Sequence, residues 1–231
     1  MKRLFPLTLF MALAVVLNCA STDDSVRTVG GFPKINTSSH LAQIDSIDKE
    51  LNNSNASSDE TKSKLYLSKG KLLLELGKYD ESIGTLNQIF SLKNANANSS
   101  ELNLYLGKAY IGKNQYAKAI QYLNQSEKLD KTYNPERKKL VVQSLVAERE
   151  YYPALAALTK TYHKGNQKKD EFYYETAAKT YLKMGYDYKN AGFYQKGLQV
   201  VNLGLEEFPE NETLRSIQKE CMEVLQPEGK L

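Results

Sequence analysis

A period near 36 residues runs through most of this 231-residue chain and constrains its fold more than any other feature. Four segments align on a tyrosine: Tyr79, Tyr116, Tyr151 and Tyr194. A small residue follows three places later, Ser82, Ala119, Ala154 or Gly197, and an aliphatic seven places later, Leu86, Leu123, Leu158 or Val201. Upstream, Gly70, Gly107, Val142 and Ala178 recur at spacings of 37, 35 and 36. Apolar residues at helical intervals predict amphipathic helices, and a repeat of this length reads as a stacked helix–turn–helix unit. One such unit cannot bury its apolar face alone, so stacking must supply the core.

These residues resemble the tetratricopeptide repeat (TPR), a unit of about 34 residues. The second repeat carries Leu106, Gly107, Tyr110, Ala119 and Leu123, and the first carries Tyr66, Gly70, Ser82, Leu86 and Ile89. The third is degenerate, with Val141, Val142, Leu145, Ala154 and Leu158. The fourth holds Tyr181, Gly185, Tyr188, Gly197, Val201, Gly204 and Pro209. The resemblance implies an all-α, right-handed solenoid of about four repeats over 63–211, divided at about 63–96, 100–133, 135–168 and 171–211. From Tyr151 to Tyr194 is 43 residues, seven more than the period, and both Ala178 and Gly185 fit the same small-residue position. Seven residues are close to two helical turns. The spacing therefore predicts a first helix about two turns longer than its neighbours, over roughly 170–190.

Flanking helices are expected at both ends. Leu41, Ile44, Ile47 and Leu51 share one face of a capping helix within 40–62, which also contains a linker, and Ser57 with Glu60 fits a capping box. Leu214, Ile217, Cys221 and Leu225 share another face within the closing segment 212–231.

The N-terminus reads as an address. Lys2 and Arg3 precede an apolar run from Leu4 to Leu17. That run is too short to span a bilayer and suits a signal peptide. It ends at Val16-Leu17-Asn18-Cys19, which resembles a relaxed lipobox of bacterial lipoproteins. The resemblance implies a signal peptide over 1–18, lipidation of Cys19, and a bacterial cell-envelope location, in the outer membrane facing the periplasm or at the cell surface. Residues 19–39 are polar with Gly30, Gly31 and Pro33, and read as a flexible tether.

Composition narrows the chemistry. Net charge is +4, and loss of Lys2 and Arg3 would leave an excess of two, which gives no case for nucleic-acid binding. With two Cys and two His, no metal or cofactor is expected. No catalytic motif is present, so the chain reads as no enzyme; Cys221 reads as core, and His163 as a helix-end residue.

The TPR resemblance implies a protein partner bound along the face of the first helices. The corresponding positions are Lys64, Leu67, Lys71 and Leu74 in the first repeat. They are Glu101, Leu104, Lys108 and Ile111 in the second, and Glu136, Lys139, Gln143 and Val146 in the third. This mixed apolar and basic set suggests a partner segment with apolar side chains and some acid, though the same charges also read as plain solvated surface. The carboxylate clamp of chaperone-binding TPRs is absent, since Leu67, Lys71 and Tyr105 stand at its positions. A basic patch through Arg137, Lys138, Lys139, Lys164, Lys168 and Lys169 would suit an anionic lipid or a cell-wall polymer, though Glu136, Asp170 and Glu171 interrupt it, and Tyr105, Tyr122, Tyr173 and Tyr174 are candidates for partial exposure. Two functions follow: an envelope adaptor, or a cell-envelope enzyme or polymer-binding lipoprotein.

Overall fold

Six helix starts are fixed by a polar side chain that accepts a hydrogen bond from a first-turn amide, which satisfies one of the free N–H groups there. Ser58, Ser99, Asn134, Asp170, Asn190 and Asn211 play this part. Ser58 caps its helix, and Ser57, expected in a capping box, lies outside the described residues. The computed structural model describes residues 37–53, 58–93, 99–164 and 168–226, which belong to one compact unit, Ile35–Leu231. The signal peptide, Cys19, the tether up to residue 36 and the last five residues lie outside the described residues.

The described residues form helices α1 Thr37–Asn52, α2 Asp59–Glu75, α3 Tyr79–Asn87, α4 Ser100–Gly112, α5 Tyr116–Leu129 and α6 Pro135–Ala147. The row continues with α7 Tyr151–Lys164, α8 Glu171–Tyr188, α9 Ala191–Glu207 and α10 Glu212–Leu225. A 3-10 turn, Gln88–Ser91, extends α3. The helices pack as antiparallel pairs, α2/α3, α4/α5, α6/α7 and α8/α9, each stacked on the next. The helix α1 packs on α2, as a second helix of a preceding pair does, and α10 packs on α9 and α8, as a first helix of a following pair does.

Small residues let the two arms of a pair approach. A Cβ added at Gly70 would lie 2.5 Å from Leu86 Cδ2, and one at Gly107 2.8 Å from Leu123. Three of the junctions along the row have apolar cores. Leu86, Ile89, Leu102 and Leu106 fill one junction. Val142, Leu158, Tyr162 and Ala177 fill another. Tyr174, Ala178, Val201, Leu214, Ile217 and Cys221 join the fourth pair to α10. Cys221 is therefore core, and Tyr174 is buried rather than exposed.

The junction of the second and third pairs holds a buried cation. Arg137 is 1% exposed. Its guanidinium donates to Asp130 O at 2.9 Å, Thr132 O at 3.0 Å, Ser126 Oγ at 3.3 Å and Ser100 Oγ at 3.4 Å. Its Nε is a buried donor without an acceptor among the described residues. Arg137 thus ties α4, α5 and the loop before α6, and it is no part of a surface patch.

The seven extra residues of the fourth repeat are shared. The helix α8 has 18 residues against 13 in α4 and α6, and α9 has 17 against 14 in α5 and α7. The turn between them is one residue shorter than the others. The long first helix expected over roughly 170–190 is α8, five residues longer than α4 and α6, which is about a turn and a half rather than two, and α9 takes up most of the remainder. Ala178 and Gly185 both find partners, Ala178 in the core with Val201 and Gly185 against the Tyr194 ring.

Candidate partner-binding face

The helices α2, α4 and α6 lie side by side and carry the positions implied by the TPR resemblance. Leu67, Leu104 and Ile111 are half-buried and remain accessible. Gln143 is exposed and Val146 half-buried. Leu74 is 4% exposed and belongs to the core, so it offers no surface to a partner. An open cleft between the first turns of α2 and α4 is lined by Lys64, Leu67 and Glu101, with Ile89 and Leu102 beneath.

The lysines of this face are not free. Lys71 Nζ reaches Glu101 at 2.5 Å, and Lys108 Nζ reaches Glu136 at 2.7 Å. Lys139 Nζ reaches Asp170 at 2.7 Å. Each pair joins one first helix to the start of the next. The Tyr105 ring lies 4.7 Å from Lys71 Nζ and 5.0 Å from Lys108 Nζ, so two cations share one aromatic face pair. Lys139 likewise stands 4.7 Å from the Phe172 ring. Lys64 pairs with Glu60 in its own helix at 2.7 Å, with both groups largely in water, where such a pair contributes about 0.2–1 kcal/mol at most.

Asp170 is the most connected acid among the described residues. It caps α8 through Tyr173 N at 3.0 Å and also accepts from Lys139 and the Tyr162 hydroxyl. Burial works to raise its pKa, but these hydrogen bonds outweigh it and hold the carboxyl below its ordinary value. Burial, with the hydrogen bond to this carboxylate, pushes the Tyr162 phenol up.

The expected basic patch dissolves in the same way. Lys138 is bonded to Glu127, Lys139 to Asp170 and Lys168 to Glu207, while Arg137 is buried. The Lys164 side chain lies outside the described residues. Lys169 stands over the Tyr173 ring at 4.6 Å.

A comparison with solved structures shows the fold. YrrB, described as a TPR protein with an unusual peptide-binding site, superposes with a TM-score of 0.62 at 16% identity, covering 79% of this chain and 84% of that chain. A tetratricopeptide repeat protein from Parabacteroides merdae gives 0.57 at 13% identity, covering 81% and 74%. MamA from MSR-1 gives 0.50 at 18% identity, covering 71% and 86%. No protein-family model matches the chain, and no curated protein matches it. The paired antiparallel helices have the TPR solenoid fold.

Proposed function

We propose that this TPR-fold chain is a lipid-anchored scaffold or adaptor of a bacterial cell envelope, binds a protein segment along its first-helix face, and is not an enzyme. The observation that carries the binding reading is the face itself: Leu67, Leu104 and Ile111 stay accessible while its lysines are tied to acids. A partner therefore gains more from apolar side chains than from acidic ones, which sharpens the expectation of a mixed segment. The peptide-binding site named for YrrB is support by likeness of fold. The anchor reading rests on Lys2, Arg3, the apolar run and Cys19, and it places the chain at the outer membrane, facing the periplasm or the cell surface. The polymer-binding alternative loses its main support, because most of the patch lysines already have acidic partners.

The test is photocrosslinking in intact cells from a reactive residue at position 108, which leaves Leu67 and Leu104 free to be changed. One dominant protein adduct, lost when Leu67→Asp and Leu104→Asp are combined in a chain that keeps its helical circular dichroism, establishes the face. Glycan adducts, or adducts only from the second helices, sink it. The anchor is tested separately: incorporation of labelled palmitate should vanish in Cys19→Ser.

A further inference from the structure

Every intra-pair turn contains one residue with a left-handed backbone: Gly77 at φ 72°, Asn114 at 57°, Arg149 at 63° and Lys189 at 50°. Gly and Asn take this conformation readily, whereas Arg and Lys do so against a steric penalty. The last two turns thus keep cations where easier residues serve the first two. Strain held in this way points to a use for the side chains.

The surroundings are aromatic. Tyr188, 49% exposed, packs 6.1 Å from the Tyr151 ring and 5.6 Å from the Phe193 ring. Lys196 Nζ lies 5.7 Å from the Phe193 centroid. Tyr152, beside Tyr151, is 62% exposed. Arg149 stands with its side chain 74% exposed, 3.6 Å from Asp187. Lys183, one turn before Asp187, and Lys189 are exposed and have no ion pair among the described residues. The acids at these turns are Asp187, held by Arg149 and the Tyr151 hydroxyl, Glu148, which accepts from Ala117 N, and Glu150. Four cations therefore stand against three acids, two of which are already engaged.

We propose that the turn tips of the third and fourth pairs form a peripheral membrane contact, in which Tyr188 and Tyr152 enter the headgroup layer of an anionic bilayer while Arg149, Lys189 and Lys196 meet its phosphates. Tyrosine rings favour the interfacial zone, and lysine stems lie along apolar surface with the ammonium in the polar layer. The patch consists of two turns and the helix ends beside them. A flat lipid interface accepts such a protrusion, whereas an extended peptide needs a groove or a strand edge. The setting rests on the anchor reading: a lipid on Cys19 would leave seventeen residues before α1, a reach of up to about 60 Å, so a weak second contact acts at high local concentration. Two contacts fix an orientation that one lipid cannot.

The test uses the unlipidated chain from Ala20 onward, so its outcome does not depend on lipidation, which the palmitate label tests alone. Co-sedimentation is measured with vesicles of phosphatidylcholine and phosphatidylglycerol in equal parts, and with phosphatidylcholine alone. Binding is expected to the anionic vesicles, weakened about fivefold by Lys189→Gln and similarly by Lys196→Gln. Tyr188→Ser should weaken it as well, and Lys128→Gln, on the exposed face of α5, should leave it unchanged. Absence of binding to the anionic vesicles, or binding indifferent to the tip substitutions, overturns the proposal. Retention on polyglutamate that depends on Lys189 and Lys196, without vesicle binding, overturns it in favour of an acidic polypeptide.

Discussion

Arg137 carries a charge in a place where most of its partners are neutral oxygens. Its removal would take the donor from the buried Ser126 hydroxyl and from the partly buried carbonyl contacts to Asp130 and Thr132, and unpaired buried acceptors are costly. Arg137→Met, which keeps the volume, should cost about 3 kcal/mol in urea unfolding followed by circular dichroism. A loss well under 1 kcal/mol would mean that water replaces the guanidinium. Tyr151 offers a pH-dependent counterpart. Burial, then the hydrogen bond to Asp187, pushes its phenol up to about 12 from an ordinary value of 10.0. A raised folded pKa stabilises the fold fully below the unfolded value and is lost as pH rises through the folded one. Tyr151→Phe should therefore show a shallower fall in stability between about pH 10 and 12 than the parent chain, measured by thermal melts across that range. In sequence Arg137 looked like a surface residue, because it runs on into Lys138 and Lys139 as part of a basic patch. Its burial depends on Ser100 and Ser126, 37 and 11 residues away, and no local pattern reports them.

Helix pairs were the most legible level. The recurrence of Tyr, small residue and aliphatic follows from one arm packing on another, so period and element type came out together. The seven-residue surplus was visible too, but not its division between α8 and α9, because that is a property of two arms meeting and not of one helix. Two glycines separate packing from propensity. Gly84 lies in α3 with nothing within 4 Å of an added Cβ, whereas at Gly185 that atom would sit 2.5 Å from Tyr194 Cε1. Gly84→Ala should stabilise by about 0.5–1 kcal/mol through reduced backbone freedom. Gly185→Ala should destabilise by about 1–3 kcal/mol, since the ring must move. Denaturant midpoints of the two variants should move in opposite directions; movement in the same direction would refute the close contact at Gly185.

At the scale of the whole molecule, the ion pairs run along the row of first helices. Lys71 to Glu101 and Lys108 to Glu136 both join a lysine of one pair to the second residue of the next first helix. Their residues were all singled out in the sequence, but as a charged surface, because a motif register gives the angle around a helix and not what the neighbouring helix brings against it. The same limit explains Leu74, which has the right angle for the face and lies too deep. The order of helices has its own consequence. Among the described residues the row opens with α1, placed as a second helix, and closes with α10, placed as a first helix. Duplicating one whole unit at either extremity would set a polar cap against a helix made to face solvent. Growth by gene duplication is open only in the interior, between existing pairs. Related chains of different length should therefore share their two terminal helices and vary in the number of units between them.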